Sequence, residues 1–90
     1  MLEGTIKVIN PLGLHARAAA QLVKLSARFK CQITIERLDG SAFANAKSML
    51  SVLTLAASMN TILKLNADGE DEAAAFEAVS NLFSNGFGEL

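Results

Sequence analysis

A chain of 90 residues is one small domain, expected to withdraw roughly 60–65% of its unfolded surface from water and so to build a single core. A composition of 51% hydrophobic and 19% charged residues, with one proline, argues against disorder. The net charge of −1 argues against nucleic acid or an anionic membrane as principal partner, because both select clustered cations.

Thr5-Ile6-Lys7-Val8-Ile9 alternates, with Ile6 and Val8 on one face, and predicts a first strand ended by the loop Asn10-Pro11-Leu12-Gly13. A helix over about residues 16–28 follows, its apolar stripe carried by Ala19, Leu22, Val23, Ser26 and Phe29. Residues 31–36 alternate again, with Cys31, Ile33 and Ile35 on one face. Asp39-Gly40 then signals a hairpin returning through residues 41–44. Residues 46–57 are apolar almost all round and predict a short helix, and residues 61–67 predict a last strand with Leu63 and Leu65 inward. After the turn Asp68-Gly69, the acids Glu70, Asp71 and Glu72 match the dipole of a final helix. Its buried stripe is Phe76, Val79, Leu82 and Phe83, and Asn85-Gly86 ends it. Alternating strands require a sheet with one wet face, so the helices belong on the other. The predicted fold is α+β, an open-faced β-sandwich with a four-stranded antiparallel sheet and three helices on one face.

The lone Cys31 allows no internal disulfide, reads as an inert core residue, and belongs to no cluster that would hold a metal. The N-terminus lacks the basic and apolar segments of a signal peptide, and the apolar-rich residues 49–59 are too short to span a bilayer. The expectation is a soluble cytoplasmic protein, monomeric, without membrane insertion, metal or cofactor.

The only histidine sits in Gly13-Leu14-His15-Ala16-Arg17, at the mouth of the first helix, where backbone N–H groups lack intrahelical partners and favour an anion. Alone, such a histidine is an ordinary cap or surface residue. In this setting the amides, among them those of Ala16 and Arg17, and the Arg17 guanidinium suit a phosphoryl group gained by a nucleophilic imidazole. No general-base partner for His15 is visible in the sequence, which disfavours an independent hydrolase. Asn45-Ala46-Lys47-Ser48 is explained by helix capping, the alternative being a serine open to phosphorylation beside an apolar patch. Val52 and Leu55 are expected core positions, leaving Met49, Leu50 and Leu53 as candidates for a partner-binding patch.

With those residues laid out, the chain resembles the HPr family, the histidine-containing phosphocarriers of the bacterial phosphoenolpyruvate-dependent phosphotransferase system. Gly13-Leu14-His15-Ala16-Arg17 matches the family's active-site motif. Ala46-Lys47-Ser48-Met49-Leu50 with Val52-Leu53-Thr54-Leu55 matches its second motif, and Asp68-Gly69-Glu70-Asp71-Glu72 the turn into its last helix. The resemblance implies that His15 accepts on Nδ1 a phosphoryl group, derived from phosphoenolpyruvate, from phosphorylated enzyme I and passes it to a histidine of an enzyme IIA domain. It implies that Arg17 neutralises the phosphoryl oxygens, and that Ala16, Arg17, Ala20, Met49, Leu50, Leu53 and Thr54 form the docking surface. Ser48 matches the serine that a dedicated kinase, the HPr kinase/phosphorylase, modifies in some bacteria. Where the family motif usually has Pro after the arginine this chain has Ala18, which keeps helix propensity and adds an N–H. Ala18 and the ending Phe87-Gly88-Glu89 resemble the nitrogen-related branch (NPr), so the acceptor serves either sugar uptake or nitrogen regulation. A different class, a regulatory binding module switched by phosphorylation of His15 or Ser48, remains the alternative.

Overall fold

The computed structural model describes residues 1–90. Period-two alternation forms the strands β1 (Leu2–Lys7), β2 (Gln32–Arg37), β3 (Phe43–Asn45) and β4 (Ile62–Asp68). They make one sheet in the order β1-β4-β2-β3, every pair antiparallel. The register aligns the inward residues of neighbouring strands: Ile6 opposite Leu63, Ile33 opposite Ala67, and Ile35 between Leu65 and Ala44. The helices α1 (Ala16–Ser26), α2 (Met49–Leu53) and α3 (Glu72–Ser84) cover that face. They bury Ala18, Ala19 and Leu22 from α1, Val52 from α2, and Ala75, Val79 and Phe83 from α3. The predicted open-faced α+β sandwich is the observed architecture. Gly4 is an inward position without a side chain because a Cβ there would lie 2.9 Å from the Phe76 ring, which packs over β1.

Element boundaries depart from the predicted ones for local reasons. β1 begins at Leu2 rather than Thr5 because β4 offers partners as far as Ala67. α1 stops at Ser26 rather than residue 28. The hairpin closes with the Arg37 N–H on the Ala42 carbonyl at 3.0 Å, so its loop runs from Leu38 to Ser41 and β3 starts only at Phe43. The apolar stretch 46–57 yields only five helical residues, since Ser48 caps the start and Ala56 adopts φ +48, which ends the run. Leu55 and Ala57 are nevertheless buried as irregular chain.

The acidic triplet is also put to a different use. Only Glu72 lies in the first turn of α3. The Asp71 carboxylate accepts instead from the Lys30 and Cys31 N–H groups, at 2.8 and 2.9 Å, tying the start of α3 to the entry of β2. Those bonds, the one from Lys30 foremost, hold the Asp71 carboxyl below the usual carboxylate range. Cys31 is buried, as expected, and burial pushes its thiol up.

Candidate functional site

The loop between β1 and α1 is shaped by Gly13 and Asn10. Gly13 has φ +67, and a Cβ there would fall 2.5 Å from the Ala57 carbonyl oxygen, so only glycine lets the two loops meet this closely. The meeting is sealed by the Leu14 N–H donating to that same carbonyl at 2.9 Å. Asn10, fully buried, accepts the Gly13 N–H on its carbonyl at 3.0 Å and donates from Nδ2 to the Gly13 carbonyl at 2.8 Å.

This loop delivers His15 as the N-cap residue of α1, with extended backbone (φ −72, ψ 176). Its carbonyl takes the first intrahelical bond, from the Ala19 N–H at 2.8 Å, while its ring makes no capping hydrogen bond. The N–H groups of Ala16, Arg17 and Ala18 therefore precede the hydrogen-bonded ladder and have no intrahelical acceptor. No acidic side chain occupies that first turn. Ala18 is fully buried within the regular first turn, so the helix begins at Ala16 without the ring constraint of a proline. Arg17 projects outward with its side chain 69% exposed, and the His15 side chain is 25% exposed.

The ring does have a partner, which sequence reading missed. His15 Nε2 lies 2.6 Å from Glu89 Oε2, and the same oxygen accepts from Arg17 NH2 at 3.2 Å. The other oxygen, Oε1, accepts from Asn10 Nδ2 at 2.9 Å. The Glu89 side chain is only 11% exposed. The Asn10 hydrogen bond above all, then those from His15 and Arg17, holds its carboxyl below the usual range against the opposing effect of burial.

A short 3₁₀ turn, Gly86–Gly88, brings Glu89 back to α1. Phe87 sits in it at φ +56 and buries its ring edge-on to Phe83, centroids 4.9 Å apart. Gln21 Nε2 on α1 donates to the Phe87 carbonyl at 3.3 Å. The signal for this return was the Gly-Phe-Gly spacing after α3, two glycines around a residue that anchors in the core.

Ser48 is the N-cap of α2, and its Oγ accepts from the Ser51 N–H at 3.3 Å. The expected capping role is thus the observed one. Of the apolar residues expected on the docking patch, Leu50 is 77% and Leu53 40% exposed. Met49 is half-buried against the core, so it contributes one flank rather than a free side chain. Ala16, Arg17 and Thr54 are exposed and Ala20 half-buried.

Known proteins resemble this chain over nearly its whole length. The family model described as "PTS HPr component phosphorylation site" matches residues 2–85. The chain is 45% identical over 89 residues to the phosphocarrier protein HPr of Xylella fastidiosa (strain Temecula1 / ATCC 700964), covering 99% of this chain and 98% of the relative. It superposes on the crystal structure of HPr-C-His from Thermoanaerobacter tengcongensis with a TM-score of 0.93 at 39% identity, covering 100% of this chain and 99% of the other. A crystal structure of an HPr dimer from the same organism gives a TM-score of 0.77, again at 39% identity, covering 99% of this chain and 100% of that one. The fold and these relatives define the class: a phosphocarrier protein, which carries a group and is not itself an enzyme. Within that class, the chain belongs to the HPr family of the phosphotransferase system.

Proposed function

We propose that this carrier accepts its phosphoryl group on Nδ1 of His15 from phosphorylated enzyme I and delivers it to a histidine of an enzyme IIA domain. The observation that carries this reading is the position of the imidazole. It stands at the mouth of an 11-residue helix whose leading amides have no intrahelical partner, with the Arg17 guanidinium beside it. In the transfer the Nδ1 lone pair forms the new N–P bond while the donor's bond to phosphorus breaks, its electron pair staying on the donor. The Ala16 amide and the Arg17 side chain then offer hydrogen bonds to the phosphoryl oxygens. No cofactor takes part.

Ala16, Arg17, Leu50, Leu53 and Thr54, flanked by Ala20 and Met49, would form the docking surface for donor and acceptor, the protein acting in the cytoplasm as a single copy. Ser48 at the edge of that patch is the proposed regulatory site of an HPr kinase/phosphorylase. A dianion there would set charge beside an apolar docking face and weaken association with enzyme I. No helix is long and apolar enough to cross a membrane. The acceptor belongs to the sugar or to the nitrogen-related branch, and assays with purified IIA domains of each separate the two.

The test is incubation with phosphoenolpyruvate and enzyme I. Wild type should gain one acid-labile, alkali-stable phosphoryl group by mass, and His15→Ala none. A wild-type protein that takes no phosphate from a competent enzyme I overturns the reading. A regulatory module switched at Ser48 alone would take no phosphate from enzyme I, and one switched at His15 would take it without passing it on to an enzyme IIA domain.

A further inference from the structure

The carboxylate behind His15 has a consequence for the chemistry of the ring. A carboxylate only accepts hydrogen bonds, so the 2.6 Å contact from Glu89 Oε2 requires the proton on Nε2. The neutral imidazole is then the tautomer with its lone pair on Nδ1. We propose that Glu89 is a positioning residue for phosphoryl transfer: it fixes that tautomer and ring orientation, and it balances the positive charge the ring gains as Nδ1 bonds phosphorus. This rests on the reading of His15 as the phosphoryl acceptor.

Several features suit Glu89 to the task. It is tied from three sides, by Asn10 on Oε1 and by His15 and Arg17 on Oε2, and only a tenth of its side chain meets solvent. A carboxyl held below its usual range stays ionised at neutral pH. The carboxylate meets the ring at Nε2 and not at the nitrogen that bonds phosphorus, so it can stay in place through the reaction. Arg17 lends Glu89 one nitrogen at 3.2 Å and keeps its other donors for the phosphoryl oxygens. The Nε2 proton stays between ring and carboxylate throughout. The lone pair of Nδ1 becomes the N–P bond, the donor leaves with the electron pair of its broken bond, and the imidazolium faces an anion rather than water. Glu89 lies beyond residues 2–85, which the family model matches, so the family signature does not carry this inference.

The experiment compares wild type, Glu89→Gln and Glu89→Ala, each labelled with ¹⁵N-histidine, after a melt and an amide spectrum establish the fold. Long-range ¹H–¹⁵N spectra at alkaline pH should place the wild-type proton on Nε2, and Glu89→Ala should show exchange between the two tautomers. Rapid-quench transfer from phosphorylated enzyme I should slow by roughly tenfold in both variants, the scale of one lost charge-assisted hydrogen bond. A wild-type proton on Nδ1, or wild-type transfer rates in both variants, overturns the inference. Absence of any phosphate on wild type would count against the carrier reading, whereas a phosphorylated wild type with unslowed variants counts against Glu89 alone.

Discussion

Asn10 and Glu89 stand 79 residues apart in the chain and share a 2.9 Å hydrogen bond, which fastens the C-terminal turn to the loop that carries the histidine. Asn10 is fully buried and its Nδ2 also holds the Gly13 carbonyl, so one side chain braces both the glycine bend and the carboxylate. Asn10→Ala leaves both acceptors short of a donor and should cost about 1–3 kcal/mol in urea unfolding. It should also loosen Glu89, so the amide resonances of residues 86–90 should lose protection from exchange.

The depressed carboxyl of Glu89 sets a pH dependence. Its folded value lies below the ordinary 4.5, so the folded protein binds this proton less readily than the unfolded chain. The resulting stability is complete above the ordinary value and is lost as pH falls through the folded one. Asp71 and Glu72 are shifted the same way and add to the acid-side loss. Urea melts between neutral and strongly acid pH should show stability falling below the ordinary carboxylate range. Glu89→Gln should flatten part of that slope, and an unchanged slope would mean that Glu89 is not held as the structure shows.

Gly13 should tolerate no side chain. Alanine at φ +67 would be strained, and its Cβ would meet the Ala57 oxygen at 2.5 Å, a contact that backbone on both sides must move to relieve. Gly13→Ala is expected to destabilise by about 1–3 kcal/mol in thermal or urea unfolding. Because the bend aims His15 at the helix mouth, phosphoryl uptake should fall at temperatures where the variant is still folded. Gly40 is the control: it also has positive φ (+76), but no atom lies within 4 Å of the added Cβ, so Gly40→Ala should leave phosphoryl uptake unchanged.

Much of this was legible from the sequence because the relevant signals are local. Ile33 and Ile35, or Leu63 and Leu65, alternate as inward strand positions must, and Ala19 and Leu22 share a helical face. His15 and Arg17 could be placed at a helix mouth for the same reason. What escaped depends on contacts between distant segments. Residues 46–57 are apolar enough for three turns of helix, yet Ala56 turns left-handed so that Ala57 can meet Gly13 and Leu14. Asp71 serves the β2 entry rather than its own helix. Nothing around Glu89 marks it as a partner of a residue 74 positions earlier; the pairing exists only once Phe87 anchors against Phe83.

The Ser48 cap gives a prediction that separates stability from regulation. Ser48→Ala removes the oxygen that accepts the Ser51 N–H, and loss of such a cap costs about 1 kcal/mol. Ser48→Asp can keep the cap while adding charge, so it should melt above Ser48→Ala yet bind enzyme I more weakly by calorimetry. If both variants bind as wild type does, Ser48 lies outside the docking surface.

Leu50 and Leu53 test the docking face itself. Both belong to α2, but Val52 rather than either leucine is its fully buried residue, and Leu50 is the more exposed at 77% against 40%. Leu50→Asp removes no core contact, so the melting curve should stay within about 0.5 kcal/mol of wild type. In an interface, however, the new carboxylate would be buried without a partner, and an uncompensated buried charge opposes binding by far more than that. Affinity for enzyme I should therefore drop by roughly tenfold or more, with the ¹⁵N tautomer signature of His15 unchanged, because Leu50 has no part in the hydrogen bonds that join the ring, Glu89, Arg17 and Asn10. Leu38 serves as comparison: it is 58% exposed in the hairpin loop between β2 and β3, outside the proposed face, and Leu38→Asp should leave binding intact. Equal loss in both variants would point to a nonspecific effect of added charge and would remove α2 from the proposed interface.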